Sequence, residues 1–197
     1  MCDSVEIPSP LFYELMTFHT ALNELMGGGS EPLSAAELTN QWLISSNITP
    51  GPLELETFHS WLELEFLCIP VPICFTIKPV SLDKCRKIFR RFNVLFVSSE
   101  HNNPNTALLT KGQNLRFRAL HDWHHIKVNS DSTLTGEIIA FNEAKRTAPA
   151  FIHWILFSEI VMQAAVKVHS GVFPAQKLVK HPKFWPARRP TNHRRAK

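Results

Sequence analysis

The sequence predicts a mainly α-helical fold, and three observations carry that reading. Apolar residues recur at helical spacing through most of the chain. Only Cys68 to Ile77 and Asn93 to Ser98 have the β-branched composition of strands, and both are short. The stretch from Leu115 to Gly171 reads as about three helices forming one core (residues 115–171), behind an α-rich N-terminal half that holds the two strands. With 197 residues, 44% of them apolar, the chain has material for one substantial core.

The first predicted helix runs from Pro10 to Met26. Leu11, Leu15, Phe18, Leu22 and Leu25 share a stripe, and Gly27-Gly28-Gly29 ends it. The second begins at Ser34, which stands at capping-box spacing from Glu37, and stops near Ser45. The third covers Leu53 to Leu67, after the turn Thr49-Pro50-Gly51-Pro52. A fourth starts at Ser81 and runs to about Arg91, and Glu100 to Asn105 is a loop. Three more helices follow. They span Leu115 to Val128, then from an N-cap at Thr135 to just before Pro149, then Pro149 to Gly171. From His181 the chain is basic and interrupted by Pro182, Pro186 and Pro190. The expected organisation is one globular domain over residues 1–180, made of an acidic helical half (1–100) and a helical core (106–180), followed by a basic tail over 181–197.

Charge is very unevenly placed. Residues 1–77 hold ten Asp and Glu and no Lys or Arg, and the rest hold all 21 basic groups against seven acids. Such complementary halves suit docking to one another, to a second copy or to a protein partner. In the tail, Lys183, Arg188, Arg189, Arg194 and Arg195 suit phosphates, and Phe184 and Trp185 suit stacking on bases, so single-stranded nucleic acid is a candidate partner. No uninterrupted apolar run approaches the roughly 20 residues of a membrane span. The nearest, Phe66 to Phe75, is short and holds Pro70 and Pro72. No secretory leader is visible, so the expectation is an intracellular protein with no membrane partner. Cys2, Cys68, Cys74 and Cys85 form no C-x-x-C pair, which argues against a zinc knuckle and for buried thiols.

The chemistry concentrates in the last three helices. On a wheel of about 100° per residue, Phe117, Leu120, His121, His124 and Val128 share a face, with His125 at its edge. His121 lies one turn from both His124 and His125, and either pair can point two imidazoles at one ion. Asp122 falls on the side of Arg118, a natural i,i+4 partner. In the next helix, Glu137 shares the apolar face of Ala140, Phe141 and Ala144, while Glu143 falls among Asn142, Lys145 and Arg146 and reads as solvated. The last helix is apolar nearly all round and carries one acid, Glu159, with Gln163 a turn on. A buried carboxylate must be paired, protonated or bound to a cation. Two inward acids and two inward histidines form a donor set for zinc, manganese or iron. A metal-free polar cluster, with these acids paired to Arg116, Arg118 or Arg146, is the competing reading.

Phe117-Arg118-Ala119-Leu120-His121-Asp122-Trp123-His124-His125, Gly136-Glu137, Glu159 with Gln163, and Phe173-Pro174-Ala175-Gln176 together resemble a pattern of uncharacterised bacteriophage proteins. Those read F-R-A-x-H-D-x-x-H, G-E, E-x-x-x-Q and F-P-x-Q. The resemblance implies phage origin, a place in the host cytoplasm or the virion, and a site built from His121, His125, Glu137, Glu159 and Gln163. It implies no activity. His121-Asp122 also matches the central pair of HD phosphohydrolases, with His101 as an upstream ligand. That family needs a distant downstream Asp, and Asp131 is the last one here.

Two functions follow. One is a metal-dependent enzyme, either a hydrolase or a di-iron-type oxidative enzyme. Its ligands are His121, His125, Glu137 and Glu159, with His124 as the alternative histidine, and Glu137 or Glu159 is the catalytic base. Asp122, Gln163 and Arg118 support the ligands. The other is a non-enzymatic virion or host-interaction protein, with its charged halves as docking surfaces.

Overall fold

The structure is a computed structural model and describes residues 34–100, 102–104 and 107–182. The predicted helix over Pro10 to Met26, His101 and the tail from Lys183 onward lie outside the described residues. Within them are six helices and two short strands, a mainly α fold. In order these are α1 (Ala35–Ile44), α2 (Pro52–Leu67), β1 (Ile73–Thr76), α3 (Leu82–Phe92), β2 (Leu95–Ser98), α4 (Lys111–Lys127), α5 (Leu134–Lys145) and α6 (Ala150–Ser170).

Local chemistry sets most helix ends. The Ser34 hydroxyl accepts the Glu37 amide while Glu37 takes the Ser34 N–H at 2.9 Å, the capping box expected for α1. Ser81 caps α3 in the same way, and Asn93, at φ 53°, closes it in the left-handed region. Two starts differ from the sequence reading. Helix α4 begins at Lys111, a turn before Leu115, because Thr110 and Gln113 make a second capping box. Helix α5 is capped by Thr133, whose hydroxyl takes the Gly136 amide, so Thr135 is an exposed helical residue and not the cap.

The strands pair in parallel, Ile73 opposite Leu95 and Thr76 opposite Ser98, with α3 as the crossover that parallel pairing requires. Proline limits β1 to four residues. Cys85 is buried on α3 against β2, whereas Cys68 and Cys74 are exposed, against the expectation of buried thiols. Their chain ends a helix and forms a surface strand, so neither faces the core.

Helix α6 is the centre of the core. Ile152, Ile155, Leu156, Phe157, Val161 and Met162 have no exposed surface. By length and composition this 21-residue helix is apolar enough to cross a membrane, unlike Phe66 to Phe75, yet 72% of its most apolar window is packed inside the fold. Phe141 of α5 meets Phe157 edge-on, with ring centroids 5.4 Å apart. Helix α2 is tied to α6 by Trp154, whose indole N–H donates to Glu54 at 2.8 Å. After Gly171 the chain runs back along the core. Leu178 and Val179 are fully buried, and the Val179 amide donates to the Ser158 hydroxyl. The acidic and basic halves also touch within the chain, through Arg116 and Glu63 at 2.8 Å.

Ending the chain after Pro182 removes none of these contacts and should leave the melting temperature nearly unchanged. Ending it after Phe173 removes Leu178 and Val179, whose burial is worth about 3 kcal/mol or more together. Thermal denaturation of the two truncations should therefore separate them by many degrees.

Candidate metal centre

Helix α4 presents His121 and His125 at i,i+4, and the first turn of α5 presents Glu137 to both. The His121 Nε2 lies 3.0 Å from Glu137 Oε2, His125 Nε2 lies 3.3 Å from the same oxygen, and the two Nε2 atoms are 3.2 Å apart. The His125 side chain is 2% exposed, Glu137 12% and His121 23%, so the cluster is enclosed and opens on the His121 side.

Backbone constraints bring the two helices together. The turn after α4 folds back on α5 so closely that a Cβ at Gly136 would sit 2.1 Å from the Asp131 carbonyl oxygen. Only glycine fits there, which places the neighbouring Glu137 against the imidazoles. Asp131 is held in turn by accepting the Thr133 amide and hydroxyl. The Glu137 carboxylate also sits at the positive end of the α5 dipole.

The electrostatics are those of a tightly coupled cluster. Burial alone would raise Glu137, but the His121 charge and hydrogen bonds from both histidines bring it down to about 2. Burial would lower His121, yet the Glu137 charge and hydrogen bond, with Asp122, hold it above its ordinary value. Asp122 is raised by burial, against the opposing charges of His121, His125 and Arg118. Arg118 spends its hydrogen bond on the Glu100 carbonyl at 2.7 Å, so the expected i,i+4 pair with Asp122 acts only at longer range.

Other candidates are placed elsewhere. His124 is buried, and burial first, then the His121 charge, lower it to about 3, so it is a neutral core histidine outside the cluster. Glu143 is not solvated. It is 7% exposed and bridges Lys127 at 2.5 Å and Arg146 at 3.1 Å, because Lys127 at the end of α4 reaches across α5 to cover it. Arg116 and Arg146 are thus engaged by Glu63 and Glu143, and neither pairs with Glu137.

Glu159 stands apart from the histidines. It lies on a π-helical stretch, Phe157–Met162, within α6. Burial pushes its carboxyl up to about 8, opposed only by a hydrogen bond from Gln163, and no charge of the histidine cluster acts on it. Its Oε1 is buried without a partner. Gln163 and Gln176 exchange reciprocal amide hydrogen bonds of 3.1 and 3.2 Å. The four motif pieces therefore assemble as two polar clusters: one of His121, His125 and Glu137, and one of Glu159, Gln163 and Gln176.

Ser130 was not singled out from sequence. Its hydroxyl lies 2.8 Å and its carbonyl oxygen 3.3 Å from His125 Nδ1. Its readable signal was weak: an Asn-Ser pair just past the end of a helix.

Among the described residues, His121, His125 and Glu137 form a donor group able to hold a metal ion, with all three ligand atoms within 4.8 Å of one another. Their mutual distances fit a shared ion. Bonds of about 2.0–2.1 Å put neighbouring ligand atoms about 3.3 Å apart around a tetrahedral ion and about 3.0 Å apart around an octahedral one. His121 Nδ1 is buried without a partner, so Nε2 is the nitrogen this ring has engaged. No family model, curated protein or solved structure matches the chain.

Glu159 yields a direct test of its isolation. A carboxyl raised from 4.5 to about 8 on folding costs stability as pH rises between those values, and the full cost is present above the higher one. Glu159→Gln removes that titration. The variant should be more stable than wild type at pH 8.5, by ~1 kcal/mol or more, with the difference shrinking toward pH 5. Urea denaturation at the two pH values measures it.

Proposed function

We propose that the protein binds one divalent transition-metal ion, zinc first, between His121, His125 and Glu137, and that the site serves metal-dependent hydrolysis. The observation that carries this reading is the convergence of two imidazole Nε2 atoms and one carboxylate oxygen at mutual distances of 3.0–3.3 Å. Two histidines and one carboxylate are the protein ligands of many catalytic zinc sites, in which the remaining position stays open. The partial exposure of His121 puts that position on the solvent side. When bound, the ion supplies a Lewis-acidic position at which water loses a proton near neutral pH. Glu137 contributes the charge that offsets the cation. Asp122, whose charge reaches both imidazoles, is the nearby acid suited to hold a proton.

A di-iron oxidative site needs further carboxylates beside the histidines. Glu159, the acid available for that role, belongs to the other polar cluster. This favours a single ion, although the same three ligands also suit ferrous iron. The resemblance of residues 117–176 to bacteriophage proteins leads us to propose a phage-encoded protein acting in the host cell or the virion. On this reading the charged halves and the tail are accessory docking surfaces.

Stripped protein titrated with zinc against a chromophoric chelator should take up about one ion per chain. His125→Ala and Glu137→Gln should each weaken binding on the order of a hundredfold or more, while His124→Ala should not. Since the ion must displace the His121 proton, affinity should fall about tenfold per pH unit below the raised His121 pKa. Wild-type affinity in both ligand variants would refute the site.

A further inference from the structure

The end of helix α4 is built around a ligand of the candidate site. Val128 is its last turn, and Asn129 follows in the left-handed region at φ 51°. The Asn129 amide donates to the Ile126 carbonyl, and the Ser130 amide donates to the His125 carbonyl at 3.0 Å. This pair of bonds is a Schellman cap, which turns the chain back over the helix and aims the residue after the left-handed position at the last turn. That residue is Ser130, 5% exposed, and the side chain it meets is His125. Ser130 thus touches His125 three times: amide to carbonyl, hydroxyl to Nδ1 at 2.8 Å and carbonyl oxygen near Nδ1 at 3.3 Å.

The carbonyl oxygen can only accept. A hydrogen on Nδ1 satisfies it and leaves the hydroxyl free to accept as well. A bare Nδ1 would face the carbonyl lone pairs. We propose that Ser130 is a positioning residue that fixes His125 as the Nδ1–H tautomer, so that the Nε2 lone pair is presented to Glu137 and His121 before any ion arrives. In effect, the helix cap selects the ligand atom. The carboxyl end of α4 and a metal ligand are thereby specified by the same two residues, Asn129 and Ser130. This deepens the metal-binding reading and rests on it for affinity, but the tautomer itself can be observed without metal.

The first measurement is long-range nitrogen–proton NMR on the metal-free full chain, with His125→Ala used to assign the ring. The expected result is a protonated Nδ1 and an unprotonated Nε2. A predominant Nε2–H form would overturn the proposal whatever the zinc results. The second is zinc affinity in Ser130→Ala, Asn129→Gly and Asn129→Val, each first shown by circular dichroism to be folded. Glycine keeps the left-handed cap and should bind as wild type. Valine disfavours it and should weaken binding about tenfold to a hundredfold, with Ser130→Ala between the two. Unchanged affinity in both Ser130→Ala and Asn129→Val would also overturn the proposal. Failure of wild type to bind zinc would instead refute the metal reading, and the tautomer measurement would still decide the role of Ser130.

Discussion

The structure depends on one constraint: helix α6 is apolar on almost every side and must be enclosed. Its residues between Ile152 and Met162 meet α2, α5 and the returning chain around Val179. Enclosure on several sides fixes where α5 lies, and α5 carries Glu137. Hydrophobic burial of this kind is non-directional, so it brings elements together without specifying the placement of individual polar atoms. Placement at the site comes instead from two short backbone devices, the left-handed cap at Asn129 and the close approach at Gly136. The core supplies the energy that holds α4 and α5 together, and the turn between them supplies the geometry.

A carboxylate in such an interior is stable only with a compensating charge or proton, and the protein uses both solutions. Glu137 is charged, against two imidazoles, and is held far below the ordinary range. Glu159 has only a glutamine amide and is pushed far above it. The contrast gives the two acids different capacities. Glu137 is poised to meet a cation, while Glu159 carries a proton at neutral pH. The wider π-helical turn around Glu159 and its reciprocal glutamine pair make that region a separate polar feature of the core.

Much of the fold was legible because it rests on periodicity and capping. The α1 box at Ser34 and Glu37, the glycine stop at Gly171 and the central apolar helix all follow from local rules. The site was legible in its ligand types, since His121, His125 and Glu137 had been singled out. It was not legible in its grouping. A helical wheel says which face a residue occupies but not which neighbour meets that face, so Glu159 was joined to histidines from which it is separate. The same limit misjudged Glu143: its own helix surrounds it with polar residues, but Lys127 of the preceding helix covers it. Ser130 escaped notice because its role depends on a left-handed backbone residue, which sequence marks only weakly.

The central claim is that His121, His125 and Glu137 are joint ligands of one ion. X-ray absorption spectroscopy of the zinc-loaded protein addresses it most directly, because outer-shell scattering from imidazole rings identifies histidine ligands. The account predicts two imidazoles and one or two oxygen ligands at about 2.0–2.1 Å, with no sulfur. Zinc held by Cys68 or Cys74 sulfur at about 2.3 Å, or a coordination shell without imidazole, would contradict it.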